Sequence, residues 1–326
     1  MMKNFILILL AAVLTLAGCS KEPGQEPSGE TPKNMVAFTY KSYRSTESRA
    51  TVPASDAERV VRDLDIFAFS GGQFLAQLTS GNGYNETTSG DYSTITLSQE
   101  FIGTHTGKTV VFYFVANNAA SLAGSTNNTG KHIASFTGTL ADFENLLTSP
   151  LGLSPYYNQE PDKRSEILAI DPAAGGMLMT GKTAEIKLIG KHEIAVTLKR
   201  RMARFDIVNP APDNFHISYI AISAAPVQGN IFADGTPATP ALRAIEEIGP
   251  VGRSAYNAQN CAEAVFYLYP TNLSATQIVI SGWFDDPQDM HLFILGSNID
   301  IVANQRYTLL FDENDLKVVA GVGDWD

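Results

Sequence analysis

Residues 109–116 read Thr-Val-Val-Phe-Tyr-Phe-Val-Ala and stop at Asn117-Asn118. The run is short, dense in β-branched and aromatic side chains, and closed by a turn pair, which are the marks of a strand. Blocks of the same kind recur along the chain at Val36–Tyr40, Val60–Phe69, Glu185–Ile189, Ile194–Leu198, Phe205–Val208 and Ile217–Ile222. They continue at Ala264–Tyr269, Gln277–Trp283, His291–Leu295, Tyr307–Phe311 and Leu316–Val319. Pro270 closes one of them, since proline cannot donate to a central ladder. Helical patterning is sparse. Leu140, Phe143, Leu146 and Leu147 share one helical face behind a Thr139 N-cap, and Leu242–Ile248 fits a helical turn.

Many short strands with little helix predict an all-β protein of sandwiches. About 290 residues of strand-rich chain exceed one sandwich, so two in tandem are expected. The division falls at Gly190, giving residues 35–189 and 190–326. No repeat of propeller or solenoid length is visible.

The chain has 326 residues, 44% of them hydrophobic, with 34 acidic against 23 basic side chains and a formal net charge of −11. An acidic surface excludes nucleic acid as a partner held through its phosphates. With 2 cysteines and 5 histidines, neither a disulfide framework nor a cysteine-rich zinc site can be built.

The first residues give an address. One cation, Lys3, precedes the apolar run Phe5–Leu16, and Leu16-Ala17-Gly18-Cys19 closes it. That is the layout of a secretory signal too short to be a stable membrane span. Its end resembles the lipobox of bacterial lipoproteins, which implies cleavage after residue 18 and diacylation of Cys19. Residues 19–34 carry almost no large apolar side chain and read as a flexible tether.

Chemical motifs are few. Gly176–Thr183 fits the GxxxxGK[ST] pattern of a phosphate-binding loop. However, Ala184–Gly190 alternates like a strand where a helix N-terminus is required, and Met177-Leu178-Met179 suits packing. The match is a coincidence of pattern. The histidines have no ligand spacing, no serine lies in GxSxG, and Asp285-Asp286 and Asp312–Asp315 read as turns. Cys261 has no motif around it. No catalytic residue, metal site or cofactor is expected. Lys199-Arg200-Arg201-Met202-Ala203-Arg204 places four cations in six residues of a strand-like run. Its parity predicts a bulge near Arg200–Met202, with arginines that bridge an interface or pair with carboxylates.

Several stretches, in order, resemble the fimbrillin family of lipoprotein-derived type V pilins. They are Asp56–Leu75 (DAERVVRDLDIFAFSGGQFL), Met177–Gly181 (MLMTG), Ile194–Ile207 (IAVTLKRRMARFDI), Ala264–Pro270 (AVFYLYP), Asn304–Leu309 (NQRYTL) and Val322–Trp325 (VGDW). The resemblance implies two transthyretin-like sandwiches with Greek-key topology, and a structural subunit of cell-surface fimbriae that supports adhesion. It implies a lipidated precursor at the outer membrane and an arginine-specific protease that removes the first strand. Other fimbrial subunits then become the partners, through donor-strand exchange.

On this chain the removable strand is Val36–Tyr43, with Val36, Phe38 and Tyr40 as the side chains that would fill the groove. Arg49-Ala50, in the polar stretch Ser45–Ser55, resembles the cleavage point, with Arg44 as a weaker site. Family stalk subunits continue past the tryptophan, whereas this sequence stops at Asp326, which suggests an accessory, tip or anchor subunit. The competing reading is a non-polymerising surface lipoprotein that binds a host or bacterial surface ligand such as a glycan, through Tyr156-Tyr157 or Trp283.

Overall fold

The computed structural model describes residues 34–42, 56–118, 131–148, 177–239, 242–248, 250–284, 286–295, 298–312 and 315–319. The fold is all-β. Ten strands form the first sheet: β1 (Met35–Lys41), β2 (Leu64–Ser70), β3 (Gln73–Ser80), β4 (Gly83–Ser89), β5 (Tyr92–Leu97), β6 (Thr109–Ala116), β7 (Met179–Lys182), β8 (Ile186–Lys187), β9 (Lys191–Ala195) and β10 (Lys199–Arg200). Their order is β10-β7-β6-β2-β3-β4-β5-β1-β9, with β8 beside β6. Three short helices, α1 (Asp56–Arg59), α2 (Gln99–His105) and α3 (Leu140–Glu144), accompany it.

The density of the 109–116 run has a direct cause. Phe112, Phe114 and Ala116 point into one core with Val36, Phe38, Tyr40, Leu64, Ile66 and Ile95. Tyr113 and Val115 point the other way, into a second cluster with Phe67, Phe69, Phe143, Leu178 and Ile231. Strands β6 and β2 are therefore covered on both faces, and alternation gives way to a continuous apolar run. The β2–β3 hairpin turns at Gly71-Gly72, with φ of +55° and +78°, a conformation that glycine adopts without steric cost.

Ten more strands complete the chain: β11 (Ala203–Val208), β12 (His216–Pro226), β13 (Leu242–Ile248), β14 (Cys261–Leu268), β15 (Thr271–Asn272), β16 (Gln277–Trp283), β17 (Met290–Leu295), β18 (Asp300–Ile301), β19 (Arg306–Asp312) and β20 (Asp315–Val319). They build two four-stranded sheets, β14-β11-β19-β20 and β13-β12-β16-β17, and the small pair β15-β18. The two larger sheets share a core that includes Phe205, Ile207, Ile220, Ile222, Phe266, Ile278, Ile280, Tyr307 and Leu309.

Two sequence expectations are corrected. Leu242–Ile248 is a strand, paired antiparallel with β12 from Ile248↔Ile220 to Leu242↔Pro226; a neighbouring strand supplies its backbone partners and overrides local helical spacing. Lys191–Ala195 pairs with β1 and Lys199–Arg200 pairs with β7, so the chain leaves the ten-stranded sheet only at Arg201-Met202. For the same reason the arginine-rich run is two strands with a break between them, where a single bulged strand was expected. The helix behind Thr139 is as expected. Thr139 and Asp142 form a reciprocal cap, with Thr139 N–H donating to Asp142 Oδ2 at 2.9 Å and Asp142 N–H to Thr139 Oγ1 at 3.2 Å.

Candidate functional site: the first strand and its slot

Strand β1 lies inside the sheet. It pairs antiparallel with β5 from Ala37↔Thr96 to Lys41↔Tyr92. It pairs parallel with β9 from Met35↔Lys191 to Thr39↔Ala195. Among the described residues, β9 has no other strand partner. The strand is thus a wedge between two backbone edges. Both ends are fastened as well. Met35 N–H donates to Gly190 O at 2.9 Å, Ser42 N–H to Asp91 O at 2.8 Å, and Val196 N–H to Thr39 O at 2.8 Å.

Alternation sets what the wedge fills. Val36, Phe38 and Tyr40 are buried in the core, while Thr39 and Lys41 face outward. The Phe38 ring meets Phe112 and Phe114 edge-on, each at 5.1 Å between centroids. The Tyr40 hydroxyl donates to Glu86 Oε1 at 2.6 Å. The three side chains named from the sequence are therefore brought together in one groove. Its walls were not foreseen. β5 reads Tyr-Ser-Thr-Ile-Thr-Leu and β4 reads Gly-Tyr-Asn-Glu-Thr-Thr-Ser, strands too polar to stand out, although the Thr-Ile-Thr-Leu alternation in β5 was a usable signal.

Beyond the slot, helix α1 is clamped by buried charge. Glu58 is fully buried. It accepts from Arg204 Nη1 at 3.2 Å and from the Tyr267 hydroxyl. Arg204, also buried, donates Nε to Asp206 Oδ1 at 2.7 Å and Nη2 to Glu263 Oε2 at 3.0 Å. Arg200 Nε donates to the Glu58 carbonyl at 3.0 Å. Burial opposes the charge on Arg204, but the Glu58 and Asp206 carboxylates outweigh it and raise its pKa. Burial, and then the Glu58 charge, push the Tyr267 hydroxyl well up. The arginines of the 199–204 run thus tie α1 to strands β11 and β14, and Arg204 pairs with carboxylates, as the sequence suggested. Glu58 itself carried no sequence signal.

The phosphate-loop pattern resolves as strand. Met179–Lys182 is β7. Gly181 has a separate reason to be glycine: a Cβ there would stand 2.5 Å from the Thr197 carbonyl oxygen. The segment joining β9 to β10 crosses that point. Gly181→Ala is expected to lower stability by about 1–3 kcal/mol through overpacking, read as a shift in the urea unfolding midpoint.

Cys19, Arg44, Arg49, Ala50 and Tyr156-Tyr157 lie outside the described residues. Cys261 is half-buried, and burial pushes its thiol up to about 11. Trp283 ends β16, where its ring stacks on His216 at 5.7 Å. Among the described residues, no group of three or more His, Cys, Asp or Glu is placed to hold a metal. No helix there is long and apolar enough to cross a membrane.

Comparison with known proteins bears on this slot. Residues 36–149 match the family model described as the major fimbrial subunit protein FimA. That match covers about a third of the 326-residue chain. The matched stretch begins in β1 and runs through β6 and α3, so it holds the wedge strand and its β5 wall. Among solved structures, the tip fimbrial protein Mfa3 from Porphyromonas gingivalis, in a C-terminally truncated form, aligns with a TM-score of 0.51 at 13% identity. That alignment covers 89% of this chain and 100% of that one. A candidate cell adhesion protein from Bacteroides eggerthii aligns with a TM-score of 0.51 at 14% identity, over 90% of this chain and 97% of that one. At these identities the likeness is one of fold. No curated protein matches the chain.

Proposed function

We propose that this protein is a structural subunit of cell-surface fimbriae, exported as a lipoprotein through Cys19 and assembled at the outer membrane by donor-strand exchange. An arginine-specific protease cuts at Arg49-Ala50 and releases β1. The vacated slot between β5 and β9 then accepts a strand from another subunit. In this reading the chain comprises two sandwiches that divide at Arg201-Met202, and its role is structural and adhesive, without catalysis.

The observation that carries the reading is the position of β1 as a wedge between two edges, one of which has no other strand partner among the described residues. Vacating it exposes two rows of backbone donors and acceptors and the pockets of Val36, Phe38 and Tyr40. Burying one large apolar side chain stabilises by about 1.5–3 kcal/mol, so an empty slot strongly favours a new occupant. Strand addition provides one, with main-chain hydrogen bonds for affinity and alternate side chains for selection. The charged clamp on Glu58 holds α1 in place after the cut, so loss of β1 need not loosen the strands from β2 onward.

The test is limited digestion of the whole chain with an arginine-specific protease, then N-terminal sequencing and size-exclusion chromatography. A new N-terminus at Ala50 together with a ladder of oligomers is expected. A chain cut at Arg49 that stays monomeric at high concentration overturns the exchange reading. The N-terminus of the protein isolated from cells separates the roles. Ala50 marks an assembled subunit, whereas lipidated Cys19 marks an anchor.

A further inference from the structure

A cleft of about 630 Å³ opens beside β7, between α3, the end of β9 with the Thr197–Arg201 stretch, and the Phe232–Asp234 loop. Its volume falls in the roughly 300–1,000 Å³ range of small-ligand sites. The chain as a whole is strongly acidic, yet three cations line this cleft, Lys182, Lys199 and Arg201, against the carboxylates Glu144 and Asp234.

The five groups are not equivalent. Arg201 is buried and fixed: Nη1 reaches Asp234 Oδ1 at 3.1 Å, Nε reaches the Asn230 carbonyl at 3.3 Å, and Nη2 reaches the Ala233 carbonyl. It shapes the floor and neutralises Asp234. Glu144 accepts the Tyr113 hydroxyl at 2.5 Å, with Lys182 Nζ 3.6 Å away. Lys199 is exposed and has no ion-pair partner among the described residues. One positive charge is therefore left over at the mouth, next to a second that is mostly solvated. The wall opposite is aromatic: the half-buried Phe232 packs against Tyr113 at 5.1 Å and Phe143 at 4.8 Å.

Two exposed lysines, two solvent-reachable carboxylates and one aromatic ring lining the same cleft match a pyranose that bears an acid group. The ring face packs on Phe232, hydroxyls donate to Glu144 and Asp234, and the carboxylate meets Lys199 and Lys182 in charge-assisted hydrogen bonds. We infer that this cleft binds an acidic oligosaccharide of the uronic-acid class. Because the net charge of the protein repels anions, binding there depends on these local cations. The cations, carboxylates and ring invoked here are not among the β1, β5 and β9 residues used for strand exchange.

Calorimetric titration of the whole, uncut chain with tetragalacturonate, and with maltotetraose as the neutral counterpart, tests it. Saturable binding of tetragalacturonate is expected. Affinity should fall at least tenfold in the Lys182→Ala/Lys199→Ala double variant and in 1 M salt, and remain within twofold in Lys191→Ala, which removes an exposed cation elsewhere. Both lysines are exposed strand residues, so the double variant should unfold at the same urea concentration as the parent. Equal binding of maltotetraose, no binding of tetragalacturonate, or an unchanged affinity in the double variant each overturns the proposal.

Discussion

Arg204→Met is expected to destabilise the folded protein by about 3–5 kcal/mol, the cost of stranding buried charge whose partner has been removed. The guanidinium is the hub. It touches Glu58, Asp206 and Glu263 at 3.2, 2.7 and 3.0 Å. Glu263 is half-exposed and can turn to water, and Arg306 stands 3.6 Å from Asp206. Glu58 is fully buried, so its carboxylate takes the largest loss. Methionine keeps most of the volume, which separates the charge effect from a cavity. Urea unfolding of the two proteins, monitored by tryptophan fluorescence, measures the difference. The triple change Glu58→Gln/Arg204→Met/Asp206→Asn should recover part of the loss, because the stranded charges leave with the cation. A loss under 1 kcal/mol in Arg204→Met would mean that the network is solvated in solution and does not clamp α1.

Phe38→Ala is the second large effect, with an expected loss of about 3–5 kcal/mol in the uncut chain. The ring is fully buried between Phe112 and Phe114, on strands that cannot close together, because β6 is held on its other face by Tyr113 and Val115. The cavity therefore stays open. Thr39→Ala, one residue on and facing outward, should cost about 0.5 kcal/mol or less, typical of surface changes. Comparison of the two thermal midpoints isolates the groove-facing row of β1 from its backbone contribution. If both variants melt alike, the pockets of the slot do not select its occupant by side chain.

How far the sequence foretold this arrangement depended on what local pattern can carry. Strands rich in β-branched and aromatic residues, such as β6, β16 and β19, stood out within one or two residues of their observed bounds; in β6 burial of both faces leaves no polar alternation to confuse. Strands β3, β4 and β5 did not. Their side chains are largely polar and half-exposed, and what makes them strands is their neighbours. Val36, Phe38 and Tyr40 were legible from alternation alone. Their setting between β5 and β9 was not, since a parallel contact across 156 residues, such as Met35 with Lys191, leaves no local trace. The same limit hid Glu58, an ordinary acidic residue in a short helix until Arg204, 146 positions later, closes on it.

The mixed pairing of β1 has a consequence for anything assembled through it. The donors and acceptors of β5 are spaced for an antiparallel neighbour and those of β9 for a parallel one, in fixed registers. A strand inserted backwards would meet both edges in the wrong pattern. The slot therefore has a direction. Subunits joined through it form a heterologous series, in which every link points the same way. A fibre built from such links is polar, with an unfilled slot at one terminus and an unused donor at the other, and it can grow or be capped differently at each end.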